Sequence, residues 1–287
     1  MIQLISDIKS RLSDVCQNVE MDGMVRILLS HYLNMSLPEV FLNPDRMPDA
    51  KKQAALWDAV DELRQHRPIQ YVIGETEFYG LTFKLTSDVL IPRPETEELT
   101  DLIVQDARRM SQNTALKILD IGTGSGCIAV SLASTLPSSE VWAVDISQQA
   151  LKVAEQNAAM NRVHVHFRYA DILSEQDAFA SGELFDIIAS NPPYVTQQDR
   201  AEMQDNVLNY EPHSALFPEG DNPLVFYERI ALFGKKHLQP EGRLYFEINE
   251  SFPNETETIL KRFQYQDIAL KKDMRGKWRM ATAKLTI

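Results

Sequence analysis

At 287 residues the chain is long enough to bury one large core and a smaller second one. Its composition, 44% hydrophobic and 24% charged with no low-complexity tract or long repeat, is that of an ordinary soluble protein, and no apolar run approaches the roughly 18–20 residues of a membrane span. A net charge of −12 (pI ≈ 5.0) without a concentrated basic stretch counts against direct binding of nucleic acid, although a local patch within an acidic whole is compatible with these totals.

The opening MIQLISDIKSRL mixes Asp7 and Lys9 among its apolar residues, so no signal peptide and a cytoplasmic location are expected. Cys16 and Cys127 then read as two reduced, mostly buried thiols rather than a disulfide. Residues 1–66 read as helices. Ile5, Ile8 and Leu12 recur at helical spacing, and Asp22 is placed to cap a second helix through Met24, Ile27, Leu28 and Leu33. A third, from Lys51 to His66, carries Ala55, Leu56, Ala59, Val60 and Leu63 on one stripe, and Asn43-Pro44 and Met47-Pro48 break the chain before it. A stabilising appendage and a partner-docking domain fit this pattern equally well.

From Arg67 to Ile91 the residues turn β-compatible, and Gly74 and Gly80 punctuate a segment that reads as a β-hairpin bridge. It runs into Ile91-Pro92-Arg93-Pro94-Glu95-Thr96-Glu97, a stiff extended piece in which Thr96 is expected to cap a helix beginning near Glu97. The boundaries expected are a helical domain over 1–73, a hairpin linker over 74–90 and a catalytic domain over 91–287.

Beyond residue 116 strands alternate with helices. Strands are expected at Leu116–Asp120, Val141–Val144, Val163–Phe167, Leu184–Ser190 and Arg243–Ile248. Helices are expected at Gly126–Ala133, after the cap Ser147, and near Leu224–His237, with a closing hairpin around Ile268–Leu270 and Trp278–Leu285. This alternation implies an α/β fold with a mostly parallel sheet and helices on both faces, whose ligands bind at the C-terminal strand ends.

Three of those strand ends carry chemistry. The first runs into Asp120-Ile121-Gly122-Thr123-Gly124-Ser125-Gly126, where glycines let backbone approach a ligand. The spacing is GxGxG, with Cys127 following, not the GxGxxG of dinucleotide sites. The second strand ends in Asp145, about 20 residues beyond Gly124, where a carboxylate accepts both hydroxyls of a ribose. The buried strand Leu184–Ser190 ends in Asn191-Pro192-Pro193-Tyr194. Its two prolines stiffen the exit and leave the Asn191 amide and the Pro192 carbonyl to face a flat group bearing an NH₂. An adenosine without phosphates fits these corners better than a pyrophosphate, and S-adenosylmethionine is the common ligand of that form.

The glycine loop, Asp145 and NPPY resemble a class I (Rossmann-like) S-adenosylmethionine-dependent methyltransferase of the amino-directed branch. RPIQY at 67–71, Gly74, FYGL at 78–81, IPRPETE at 91–97 and the late Lys272-Asp273-x-x-Gly276-x-x-Arg279 resemble the HemK/PrmC family over essentially the whole chain. The resemblance implies methyl transfer to the side-chain amide (N5) of the glutamine in the GGQ motif of class I peptide chain release factors, with S-adenosylhomocysteine as the product. It further implies a cofactor seat at Gly122, Thr123, Gly124, Ser125, Gly126, Asp145, Asp171, Ile172 and Asn191, and an N-terminal domain that docks the release factor. Relatives place an aromatic ring beside the acidic residue matching Asp171; this chain has Ile172. Asn191, Pro192, Pro193 and Tyr194 would hold the acceptor, Asn191, Pro192 and Tyr194 catalytically, with the Tyr194 ring flat on the amide. A monomer is expected.

A nucleic-acid adenine or cytosine amino-methyltransferase shares NPPY, and charge and the IPRPETE segment speak against it. The connection 195–221 exceeds the usual 12–15 residues and reads as part of a lid, while a short surface helix suits 196–206 equally. Glu247 and Arg93 read as ion-pair members as easily as site residues. His164 and His166 fall on one strand face with no third ligand near, and no metal site is expected.

Overall fold

The computed structural model describes residues 2–16, 18–35, 37–43, 45–110, 115–174, 179, 182–218, 220 and 222–286. The chain divides into two compact units, one of Met1–Glu75 with Gln204–Tyr210, the other of Thr76–Met203 with Glu211–Ile287.

The first unit begins with α1 (Ile2–Leu12), α2 (Asn18–Leu33), α3 (Leu37–Leu42), α4 (Ala50–Arg64) and α5 (Ile69–Ile73). Its core joins Leu4, Ile8 and Leu12 of α1 to Val25, Leu28 and Leu29 of α2 and to Leu56, Val60 and Leu63 of α4, each set repeating at helical spacing. Asp22 does not cap α2, which starts at Asn18; its carboxylate pairs instead with Lys9 Nζ at 2.5 Å. Ile27 is turned out to solvent, because Val25 and Leu28 already fill the buried stripe. The cap on α4 is Asp49, whose side chain accepts from the Lys52 N–H at 2.9 Å. Pro44 lies outside the described residues. The Gln204–Tyr210 segment is tied into this unit by the Tyr210 hydroxyl, which donates to the Gln65 carbonyl at 2.7 Å.

The second unit opens on a two-stranded hairpin, β1 (Glu75–Phe78) and β2 (Leu81–Lys84), turned through Tyr79 and Gly80, both at positive φ. Two residues of that conformation match the twist of a tight hairpin. Phe78 and Phe83 enter the core of this unit, so the hairpin is built into it. There follow α6 (Pro94–Met110), β3 (Lys117–Ile121), α7 (Cys127–Thr135), β4 (Glu140–Asp145), α8 (Gln148–Met160), β5 (His166–Tyr169) and β6 (Phe185–Ser190). Beyond them lie α9 (Gln197–Glu202), α10 (Asp205–Tyr210, which belongs to the first unit), α11 (His213–Leu216), α12 (Val225–His237), β7 (Leu238–Glu247), α13 (Pro253–Arg262), β8 (Tyr265–Lys272) and β9 (Trp278–Leu285).

Seven strands form one sheet in the order β5-β4-β3-β6-β7-β9-β8. The pairs from β5 to β7 are parallel, and β9 runs antiparallel between β7 and β8. Adjacent residues of β3 point to opposite faces, Ile118 into the core with Leu99 and Ile103 of α6, and Leu119 into the core with Tyr227 and Ile230 of α12. Both faces are therefore covered, as a parallel sheet requires. This is the doubly wound, Rossmann-like architecture expected from the alternation. Chain order reverses between β3 and β6, and there the strand ends open a crevice.

Several boundaries differ from expectation; the strand expected at Arg243–Ile248 already starts at Leu238. α6 starts at Pro94, a residue suited to a first helical position, so Thr96 lies inside the first turn and is not its cap. β5 starts at His166, so His164 lies outside the strand. The long connection holds three short helices, α9 to α11, the first closed by a capping box of Thr196 and Asp199. Among the described residues no helix is long and apolar enough to cross a membrane.

Candidate active site

The glycine turn sits at the end of β3. Gly122 and Thr123 donate their N–H groups to the Val144 carbonyl of β4 at 2.9 and 3.0 Å, which bends the chain off the sheet. Gly126 then opens α7 at φ +82°, and a Cβ there would stand 3.0 Å from the Ala154 Cβ of α8. Only glycine gives both that conformation and that approach. The buried Asn157 of α8 secures the turn from below, donating to the Ser125 carbonyl at 2.8 Å and exchanging bonds with the backbone of Lys84.

Two acids flank the turn. Asp145 accepts from the Gly124 N–H at 2.8 Å on one oxygen and from the Ser147 N–H at 2.8 Å on the other. Burial raises its carboxyl, and the N–H groups of Ser147 and Gly124 draw it back. Asp120 is fully buried and accepts from Thr123 Oγ1 at 2.6 Å; burial pushes its carboxyl up to about 7, against the pull of that hydroxyl.

The NPPY exit lies beside the turn because β3 and β6 are neighbours, with Ile121 opposite Ser190. Ser190 Oγ donates to the Ile121 carbonyl at 2.7 Å and locks the two ends together. Asn191 Nδ2 donates to Thr96 Oγ1 at 3.2 Å, and Thr96 Oγ1 donates to Glu247 Oε2 at 2.6 Å. The Tyr194 hydroxyl donates to Glu247 Oε1 at 2.9 Å. Glu247 is buried, which raises its carboxyl, while those two hydroxyls and the charge of Arg279 oppose the shift. Asn249 completes the exit, donating to the Tyr194 carbonyl and to Asp199.

One cavity of about 260 Å³ connects these parts, far more than the 10–15 Å³ a water needs. Gly122 to Ser125, Asp145, Asp171, Ile172 and Asn191 to Pro193 all face it. Gly126 does not line it; its part is to close α7 onto α8. Tyr194 does not line it either, because its hydroxyl is drawn to Glu247 and its ring packs on the core. Asp171 accepts from the Leu173 N–H at 2.8 Å. Arg229 of α12 braces this wall from behind, donating to the carbonyls of Ile172 and Ser174.

Sequence reasoning missed Thr96, Phe217, Phe226 and Ile230, which also line the cavity. Phe226 and Ile230 stand four apart on α12, a spacing that reads as core. Phe226 and Phe217 bring aromatic side chains to a wall where Ile172 has none. Among the lining residues three acids, Asp88, Asp145 and Asp171, outnumber one cation, Arg93, which pairs with the buried Glu211 at 2.6 Å. Cys127 also faces the cavity as a free thiol, pushed up to about 12 by burial. His166 stacks on Trp142 at 4.5 Å, and among the described residues no group of three ligating side chains could hold a metal.

Residues 3–74 match the PrmC N-terminal domain family and residues 99–232 the methyltransferase small domain family. A release factor glutamine methyltransferase of Flavobacterium psychrophilum is 42% identical over 94% of this chain and 93% of its own length. A protein of the same name from Bacteroides thetaiotaomicron is 41% identical over 99% of each chain. The crystal structure of a methyltransferase from Pyrococcus furiosus, 16% identical, shares the fold with a TM-score of 0.52 over 83% of this chain and 100% of that one. The switch-point cavity, the glycine turn and the NPPY exit thus sit in a chain whose relatives match it from end to end: it belongs to the release factor glutamine methyltransferase family.

Proposed function

We propose that this chain transfers a methyl group from S-adenosylmethionine to the side-chain amide nitrogen of the glutamine in the GGQ motif of class I peptide chain release factors. The observation that carries the reading is the pairing of Ile121 with Ser190, which sets the glycine turn and the NPPY exit side by side on one cavity.

The wall fits a phosphate-free, cationic nucleoside. A diphosphate would meet three carboxylates and one arginine, whereas a sulfonium cation is favoured by the same excess of negative charge. Asp145, at the end of β4 and facing the cavity, offers its carboxylate to the ribose hydroxyls. The turn from Gly122 to Gly126 takes the amino-acid portion. Asp171, Ile172 and Phe226 take the base, and Asn191 lies where cofactor and acceptor meet. When bound, S-adenosylmethionine supplies an electrophilic methyl and is released as S-adenosylhomocysteine.

The chain's own task is to aim a poor nucleophile. An amide nitrogen has its lone pair delocalised into the carbonyl, and it carries two N–H bonds. Asn191 Oδ1 and the Pro192 carbonyl are two acceptors that take both. They orient the nitrogen along the line of displacement, and such positioning is worth about 7–11 kcal/mol of effective-molarity advantage. They also favour pyramidalisation as positive charge develops on the nitrogen, an electrostatic contribution. The extra proton is lost after transfer, so no strong base is needed beforehand. Tyr194 braces this seat through its hydroxyl bond to Glu247. The helical domain over 1–73 serves in docking the release factor, the chain acts as a cytoplasmic monomer, and the connection 195–221, which contributes Ser214, Ala215 and Phe217 to the wall, closes over the bound glutamine.

The test is incubation with labelled S-adenosylmethionine and a GGQ-bearing release factor, beside its Gln→Ala variant and unmethylated DNA. Label confined to the intact release factor is expected. Label on the Gln→Ala variant or on DNA would move the assignment to a different acceptor.

A further inference from the structure

Asn191 can serve as a double acceptor's half only if its amide is turned with Oδ1 toward the cavity. An asparagine amide is nearly symmetric in shape, so something must choose between its two orientations. The Pro192 ring fixes the backbone but not this torsion. Rotated by half a turn, the side chain would present an NH₂ to the substrate NH₂, and the seat would repel the group it is meant to hold.

Hydrogen-bond accounting around Glu247 makes the choice. Its carboxylate is buried and accepts at both oxygens, from Tyr194 at 2.9 Å and from Thr96 at 2.6 Å. Tyr227 adds a bond to its backbone carbonyl at 3.2 Å; burial raises the Glu247 carboxyl, and the hydroxyls of Thr96 and Tyr194 and the charge of Arg279 oppose that shift. A hydroxyl has one proton to give. Thr96 spends it on Glu247, and a second bond from Thr96 to its backbone or side-chain surroundings can only be an accepted one. The donor in reach is Asn191 Nδ2, at 3.2 Å. The polarity thus runs one way, from Asn191 through Thr96 to Glu247.

We infer that Thr96, held as an acceptor by Glu247, is a positioning residue that selects the orientation of the Asn191 amide and so sets the enzyme's preference for a glutamine over a glutamate acceptor side chain. This rests on the reading of Asn191 and Pro192 as the amide seat. With Oδ1 and the Pro192 carbonyl both facing inward, a glutamate carboxylate meets two oxygens and no donor. If the side chain turns, Nδ2 offers a donor and a carboxylate becomes acceptable.

The experiment compares wild type with Thr96→Val, Thr96→Ser and Asn191→Ala. It measures turnover on a GGQ release factor, S-adenosylmethionine affinity, and competitive inhibition by the release factor carrying Gln→Glu in that motif. Val keeps the shape of the Thr side chain and removes the hydroxyl; Ser keeps the hydroxyl. T96V is expected to lose about 10- to 100-fold in kcat, the scale of misplacing a group that aims the substrate, with cofactor affinity within about twofold of wild type. Inhibition by the glutamate form should strengthen at least about fivefold in T96V, and T96S should stay within about fivefold of wild type on all three measures.

Wild-type turnover and unchanged Gln/Glu discrimination in T96V, with N191A inactive, would overturn the positioning role while leaving the seat intact. Slower turnover without altered discrimination, or a parallel loss of cofactor affinity, would also overturn it, since the hydroxyl would then be merely structural. Near-normal turnover in N191A would instead bring down the seat itself.

Discussion

Gly126→Ala is a perturbation whose size can be worked from the structure. At φ +82° an L-residue pays the left-handed penalty, about 1–2 kcal/mol. Its Cβ would also stand 3.0 Å from the Ala154 Cβ and 3.2 Å from the Ala154 Cα, tighter than most real contacts, so the neighbour must give by a few tenths of an ångström. One of α7 and α8 must give way, and overpacking of that kind costs about 1–3 kcal/mol. The sum is about 2–5 kcal/mol, a large share of the 5–15 kcal/mol that holds a typical domain. Urea unfolding followed by circular dichroism measures it, and a calorimetric titration with S-adenosylmethionine tests whether the displaced turn still binds. Adding Ala154→Gly separates the two contributions. It relieves the Cβ contact, leaves the backbone penalty, and costs about 1 kcal/mol of its own as a helix glycine. The double variant should therefore be less unstable than the sum of the single ones by about 1 kcal/mol or more. If Gly126→Ala unfolds within about 0.5 kcal/mol of wild type and binds the cofactor normally, the account of the turn is wrong.

Three further outcomes are expected. Asn191→Ala should lose at least about 10²-fold in turnover at saturating substrate, the scale of removing one preorganised polar group, and steady-state kinetics checks it. Asp120 carries a pH signature: its carboxyl is held up at about 7, so between pH 4 and 7 the folded state keeps a proton that the unfolded chain releases. Stability from this group is therefore present at low pH and declines as pH rises, by about 4 kcal/mol at most over that window. Asp120→Asn removes that dependence, so its stability relative to wild type should climb from pH 4 to 7 and level off above; a flat difference in urea midpoints across that range would refute it. Finally, hydrogen exchange in residues 197–217 should slow when a GGQ peptide and S-adenosylhomocysteine are added together, and equal exchange with and without them would rule out a closing lid.

The parallel sheet was legible because its signals are local. The run Ile187 to Ala189 is continuous and apolar, and Ile118 and Leu119 are apolar side by side, as in strands buried on both faces, and Ser147 caps α8 through its near neighbour Ala150. Most short helices escaped notice, since α3, α5, α10 and α11 have at most six residues, too few for a helical period to repeat; α9 falls within 196–206, where a short surface helix is one of the two readings. Ile27 shows the other limit: an apolar residue at the right spacing can face solvent when its neighbours already fill the stripe. The site divided the same way. Gly122 to Ser125, Asp145 and Asn191 announce themselves in contiguous motifs, whereas Thr96 and Glu247 meet across 151 positions, and nothing local to either residue signals the pairing. An aromatic after two prolines invites stacking, but the bond from the Tyr194 hydroxyl to the buried carboxylate of Glu247 is invisible in the motif.

The central claim concerns where the acceptor amide sits, and a crystal structure with S-adenosylhomocysteine and a GGQ peptide tests it most directly. The two amide hydrogens of the glutamine should point at Asn191 Oδ1 and the Pro192 carbonyl, each nitrogen-to-oxygen distance about 3 Å, with the nitrogen facing the sulfur. A glutamine side chain bound elsewhere, or seated there with its carbonyl toward Asn191 and its nitrogen turned away from the sulfur, would contradict it.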